Sequence, residues 1–115
     1  MSTDLFAGVP VSDYRAALQW YERLFGAPPA FFPNDAEAVW EVAEHRYLYI
    51  EHLPERAGHA KVMLFVPDYP ATLRALAERG LHPAEVQTYD NGVSKAMFRD
   101  ADGNEVAFGG STAES

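Results

Sequence analysis

Cysteine is absent from the 115 residues. That excludes disulfide scaffolds, thiolate metal centres and cysteine nucleophiles together, and it is in keeping with a reducing compartment. Basic residues are scarce: 9 Lys and Arg stand against 17 Asp and Glu, a formal net charge of -8. Such a chain repels phosphate backbones and anionic lipid surfaces, so neither nucleic acid nor membrane is an expected partner. Long apolar runs are also missing; none approaches the roughly 20 residues of a membrane span. No basic stretch precedes the apolar part of MSTDLFAGVPVSD, so it does not read as a signal peptide, and the expected location is cytoplasmic. A Ser-His-Asp triad, a P-loop and a dinucleotide fingerprint are not found. Apart from Gly8 and Gly109-Gly110, the glycines sit at turns and helix ends.

What is present is a globular composition, 48% apolar and 23% charged, at a length that suits one domain. The most informative feature is internal. VPVSDYRAAL, from Val9, matches LFVPDYPATL, from Leu64, at an offset of 55 residues, close to half the chain. Val11 falls on Val66, Asp13-Tyr14 on Asp68-Tyr69, Ala16 on Ala71 and Leu18 on Leu73. One gap later, Gly26 falls on Gly80.

Each half reads alike. Leu5 to Val11 alternates as a strand does, and Asp13 caps a helix whose apolar residues recur at helical spacing until Gly26 stops it. Strands are then expected at 30–32, 38–43 and 46–52. In the second half a strand at 61–66 leads to a helix capped by Asp68 and ended by Gly80. Strands follow at 84–88, 93–99 and 105–108. Asp90-Asn91-Gly92 and Asp100 to Asn104 form the turns between them.

The fold class is therefore α+β. Two tandem βαβββ modules, about 4–54 and 59–109, make one domain over 1–115, with a tail at 110–115. The expected arrangement is a curved mixed sheet around a concave cavity, with the helices outside. Strand parity puts Ala7, Val9, Val11, Leu48, Ile50, Val62, Leu64, Val66, Val106 and Phe108 against the helices. The opposite face then carries Phe6, Tyr47, Tyr49, Glu51, Lys61, Met63 and Phe65, with Glu105 and Ala107, and Trp40 is expected to join it. An apolar, aromatic concavity with a few charges suits a small molecule. The same rows also suit plain packing or a dimer seam.

The stretches VPVSDYRAALQWYERLFG and FRDADGNEVAFG resemble the vicinal oxygen chelate superfamily, the group of glyoxalase I, extradiol dioxygenases, fosfomycin-resistance and bleomycin-resistance proteins. The resemblance spans residues 5 to 109. It implies a two-module fold and, in the family's metal enzymes, four ligands: a His or Gln on the first strand of each module and a Glu on the last. By register those positions fall here on Phe6, Glu51, Lys61 and Ala107. Phe and Ala do not coordinate, and a Lys ammonium has no lone pair. Loss of the catalytic metal is the expectation, so no cofactor is expected. A divalent metal stays open through a displaced set of Glu51, His59 and Glu105. His45 and His82 read as turn residues.

Three functions remain open from the sequence. The first is a binding protein that sequesters a small aromatic or cationic ligand, as bleomycin-resistance proteins do. The second is a metal-dependent lyase, isomerase or dioxygenase with a displaced site. The third is a degenerate structural or regulatory member. A homodimer is expected in each case, because open modules leave sheet edges that pair.

Overall fold

The computed structural model describes residues 2–113. Its elements are β1 Leu5–Val11, α1 Tyr14–Phe25, β2 Phe31–Asn34, β3 Glu37–Ala43, β4 Arg46–His52, a 3-10 turn at Pro54–Arg56, β5 Lys61–Phe65, α2 Tyr69–Glu78, β6 Glu85–Thr88, β7 Val93–Arg99 and β8 Glu105–Ser111. Strand–helix–three strands is thus repeated.

The helices begin and end where their caps dictate. The Asp13 carboxylate accepts from the Ala16 N–H at 3.1 Å, and the Asp68 carboxylate accepts from the Ala71 N–H at 3.1 Å. Gly26 closes α1 in the left-handed conformation (φ 71°), with its N–H bonded to the Glu22 carbonyl. Ala17, Tyr21 and Leu24 bury one face of α1 at the spacing of successive turns.

Each module keeps its own four-stranded mixed sheet, in the orders β1-β4-β3-β2 and β5-β8-β7-β6. The first strand of each module pairs parallel with the last, and the other pairs are antiparallel. β1 and β5 are therefore edge strands. The two modules share one core, built from Val9, Val11, Leu48 and Ile50 of the first, Ala96, Phe98, Val106 and Phe108 of the second, and Tyr21, Leu24 and Leu76 of the helices.

Polar ties hold the modules together. The Tyr21 hydroxyl donates to Asp100 at 2.9 Å. Asn104, fully buried, donates to the Pro10 carbonyl at 2.8 Å and accepts from the N–H groups of Gly58 and Ala60, both at 3.0 Å. Ser12 bonds to the Asp102 carboxylate through both its N–H and its hydroxyl. Arg79 donates to the carbonyls of Arg23 and Leu24 at the end of α1, and Arg23 donates to those of Arg79 and Gly80 at the end of α2. Each helix thus receives a guanidinium at its partial negative end from the other module.

Two expectations are corrected here. β8 runs on to Ser111, and Gly109 and Gly110 are buried within it rather than opening a frayed tail. A side chain at Gly110 would meet the Tyr69 Cβ and the Val66 carbonyl oxygen, both at 2.9 Å. The glycine is there because α2 passes directly over the strand. Residues 112 and 113 continue beyond the strand, and the remainder of the expected tail lies outside the described residues.

Candidate functional site

The helix-free face of the first sheet is set by its register. Phe6 lies beside Tyr47, Gly8 beside Tyr49 and Pro10 beside Glu51. Beyond them, Glu41 pairs with Tyr47, Val39 with Tyr49 and Glu37 with Glu51. Phe6 and Tyr47 stack with centroids 4.5 Å apart and planes 11° from parallel, and Phe31 meets Tyr47 edge-on at 6.4 Å. Phe6 is 48% and Phe31 44% exposed. This aromatic group faces outward rather than being capped by the protein. Acids frame it: Glu37, Glu41 and Glu51 occupy the same face, and no Lys or Arg shares its rows. Partial desolvation, then the charges of Glu41 and Asp4, raise the Tyr47 phenol above its ordinary pKa, so it remains a neutral donor near pH 7.

The second sheet presents a different face. Its rows run Lys61, Glu105, Arg99; Met63, Ala107, Met97; and Phe65, Gly109, Lys95 across β5, β8 and β7. Glu85 and Gln87 of β6 continue the rows. A cavity of about 290 Å³ opens over this face, its floor made by Met63, Met97 and Ala107 and its rim by Lys61, Lys95, Glu85, Gln87 and Glu105. The short Ala107 between Met63 and Met97 leaves the hollow, and the long side chains around it create the wall.

Parity places Phe6, Tyr47, Tyr49 and Glu51 on one such face, and Lys61, Met63, Phe65, Glu105 and Ala107 on the other. Trp40 is corrected. It pairs with Leu48 on the helix side, is 2% exposed, packs against Phe25 and Tyr21, and donates its indole N–H to the Ala27 carbonyl at 2.9 Å. Sequence reasoning missed Phe31, Glu37 and Glu41 on the first face and Lys95, Met97, Glu85 and Gln87 on the second. The alternation of Lys95, Met97 and Arg99 against Ala96 and Phe98 carried the signal for β7.

The family's metal does not fit these residues. Phe6 gives its ring to Tyr47, Lys61 presents an exposed ammonium, and Ala107 presents a methyl group between Met63 and Met97. Only Glu51 offers oxygen. The displaced set is not assembled either. Among the described residues, no three His, Asp or Glu side chains gather closely enough to share an ion, and Glu51, His59 and Glu105 stay apart. His59 precedes β5 instead of continuing its face.

Comparison with known proteins agrees with the fold. The model of the Glyoxalase/Bleomycin resistance protein/Dioxygenase superfamily matches residues 5–108. The crystal structure of a glyoxalase/bleomycin resistance protein from Catenulispora acidiphila DSM 44928 is similar at 51% identity and TM-score 0.92, over 95% of this chain and 98% of that one. A bleomycin-binding protein complexed with bleomycin shares the fold at 17% identity and TM-score 0.72, over 93% of this chain and 97% of that one. A lactoylglutathione lyase from Agrobacterium tumefaciens does so at 16% identity and TM-score 0.73, over 96% and 94%. No curated protein matches the sequence. With its repeated βαβββ modules and a family match over nearly its whole length, the chain belongs to the glyoxalase/bleomycin resistance/dioxygenase superfamily.

Proposed function

We propose that this protein binds a small aromatic molecule and holds it unchanged, without a catalytic metal. The observation that carries the reading is the outward-facing stack of Phe6 on Tyr47, with Phe31 edge-on and Tyr49 beside it. Aromatic faces left open to water gain when a flat ligand covers them. Glu37, Glu41 and Glu51 on the same face favour a ligand that carries positive charge. A relative of the same fold is complexed with bleomycin, which supports small-molecule capture as a use of this architecture. The expected cytoplasmic location is part of the same reading.

The proposal includes a homodimer. Core-facing residues of both modules, among them Leu5, Ala7, Leu64 and Val66, line an open gap of about 940 Å³. Leu5 and Phe65 are each 65% exposed, and β1 and β5 are unpaired edges. A second copy is the occupant that would bury them. A monomeric mass in light scattering across micromolar concentrations overturns that part.

The experiment is an amide NMR titration with flat cationic and neutral aromatic compounds. Tryptophan emission is a poor reporter, since Trp40 is sealed in the core and Trp20 lies on α1, away from the helix-free face. Saturable shifts at residues 6, 31, 47 and 49 are expected. A panel that moves none of them overturns the reading. Near-stoichiometric Ni, Zn, Mn or Fe in protein purified without chelators would instead bring forward the lyase, isomerase or dioxygenase alternative.

A further inference from the structure

The two helix-free faces differ in charge, and the difference points to a second specificity. On the second face the acids are already engaged. Glu85 lies 3.8 Å and Glu105 3.6 Å from the Arg99 guanidinium. Lys61 and Lys95 have no carboxylate within ion-pair distance among the described residues. The two lysines are not equivalent. Lys61 has Glu105 as its cross-strand neighbour and is exposed to solvent. Lys95 lies between Gln87 and Gly109, both neutral, and is half-buried. Gln87 adds to this. Its side-chain oxygen accepts the Tyr89 hydroxyl at 2.9 Å, so its amide NH2 is left to donate. An ammonium and an amide N–H are thus set near one another at the rim of an apolar floor, with no carboxylate paired to them among the described residues.

We infer that the cavity of the second module takes a carboxylate-bearing molecule with a small apolar body. The carboxylate sits at Lys95 and the Gln87 amide, and the body lies over Met63, Ala107 and Met97. The chemistry is that of a charge-assisted hydrogen bond at the edge of an apolar surface. Methionine side chains adapt their shape to the apolar part. A volume of about 290 Å³, at the lower end of ordinary ligand clefts, limits the body to one or two rings or a short branched chain. A chain of net charge -8 holds, on this one face, a seat for negative charge. The inference rests on the proposed binding role of the fold and extends it to the opposite module.

The test is calorimetry with three isosteric probes, 1-naphthoate, 1-naphthamide and 1-naphthylmethylamine, on the full chain and on Lys95→Met, Lys95→Arg and Gln87→Leu. Circular dichroism checks that each variant is folded. Naphthoate is expected to bind about tenfold or more tightly than the amide. Lys95→Met should lose that preference, Lys95→Arg should keep it, and Gln87→Leu should weaken it severalfold. The affinity for naphthoate should fall as salt is raised. Equal binding of acid and amide, or a Lys95→Met variant that still prefers the acid, overturns carboxylate recognition while leaving the binding role in place. If none of the three probes binds at millimolar concentration, both the inference and the binding role of this fold fall.

Discussion

The Tyr21 hydroxyl donates to the Asp100 carboxylate across 79 residues of sequence, at 2.9 Å and out of contact with water. Asp100 also accepts the N–H groups of Asp102 and Asn104 and the Asn104 side-chain amide. Tyr21→Phe removes one bond to a charged acceptor and leaves the others. Urea denaturation should show a loss of about 1–2 kcal/mol with an unchanged m-value. A loss near zero would mean that the tie is structurally idle.

The same bond fixes an alkaline sensitivity. Burial, then the charge of Asp100, raises the Tyr21 phenol well above its reference value of 10.0. The folded state therefore retains this proton after the unfolded state releases it. The Tyr21 contribution is complete below about pH 10 and declines as pH climbs above it, by about 1.4 kcal/mol per pH unit. Tyr14, Tyr47 and Tyr69 shift in the same direction, so the measurement is the difference in stability between wild type and Tyr21→Phe from pH 8 to 11. That difference should shrink above pH 10; a constant offset would contradict the argument.

Asn104 makes four hydrogen bonds with both ends of its amide, to Gly58, Ala60, Pro10 and Asp100. No other side chain has that donor and acceptor pattern at that size. Asn104→Ala strands several buried groups and should cost about 3–5 kcal/mol. Asn104→Asp keeps the shape but loses both donors and brings a second carboxylate against Asp100, so it should not rescue. Thermal unfolding of the two variants decides this; a stable Asp variant would refute the donor argument.

Glycine substitutions separate packing from the site. An alanine at Gly110 strikes a Cβ and a carbonyl oxygen, neither of which has freedom to move, and should cost about 2 kcal/mol or more. An alanine at Gly8 strikes the end of the Tyr49 ring at 2.6 Å, and that ring can swing. Gly8→Ala should therefore leave thermal stability within about 1 kcal/mol while displacing Tyr49 and weakening aromatic ligands at the first face. Equal losses of stability in the two variants would show that Tyr49 is locked in place.

Metal removal should have no effect. With Phe6, Lys61 and Ala107 at three of the four family positions, overnight dialysis against EDTA should leave the melting temperature unchanged. A drop reversed by adding one divalent metal would reveal a site that the side chains do not suggest.

The duplication, both helices and most strand parities were legible because their causes are local: Asp13 and Asp68 cap, Gly26 and Gly80 stop, and β1 and β4 alternate. Trp40 was misplaced because Ala38, Val39 and Trp40 are buried in succession, so β3 carries no alternation to read. Gly109 and Gly110 looked like the start of a loose end because composition does not register a helix passing overhead. The carboxylate seat at Lys95 depends on which strand lies next to β7 and on Arg99 occupying both nearby acids. The Arg23 and Arg79 exchange depends on two helix ends meeting. The arginine exchange joins residues 56 apart, and Lys95 with Gln87 and Arg99 with Glu105, though near in sequence, meet only once the register of β6, β7 and β8 is set.

The ties around Asp100 and Asn104 also order events during synthesis. Pro10, Ser12 and Tyr21 leave the ribosome well before their partners at residues 100–104, which follow 79 to 94 residues later. The amino-terminal half therefore emerges without its clasp, and its core-facing Val9, Val11 and Tyr21 stay uncovered until Phe98, Val106 and Phe108 arrive. A nascent chain stalled before residue 100 would be a folding unit missing its keystone.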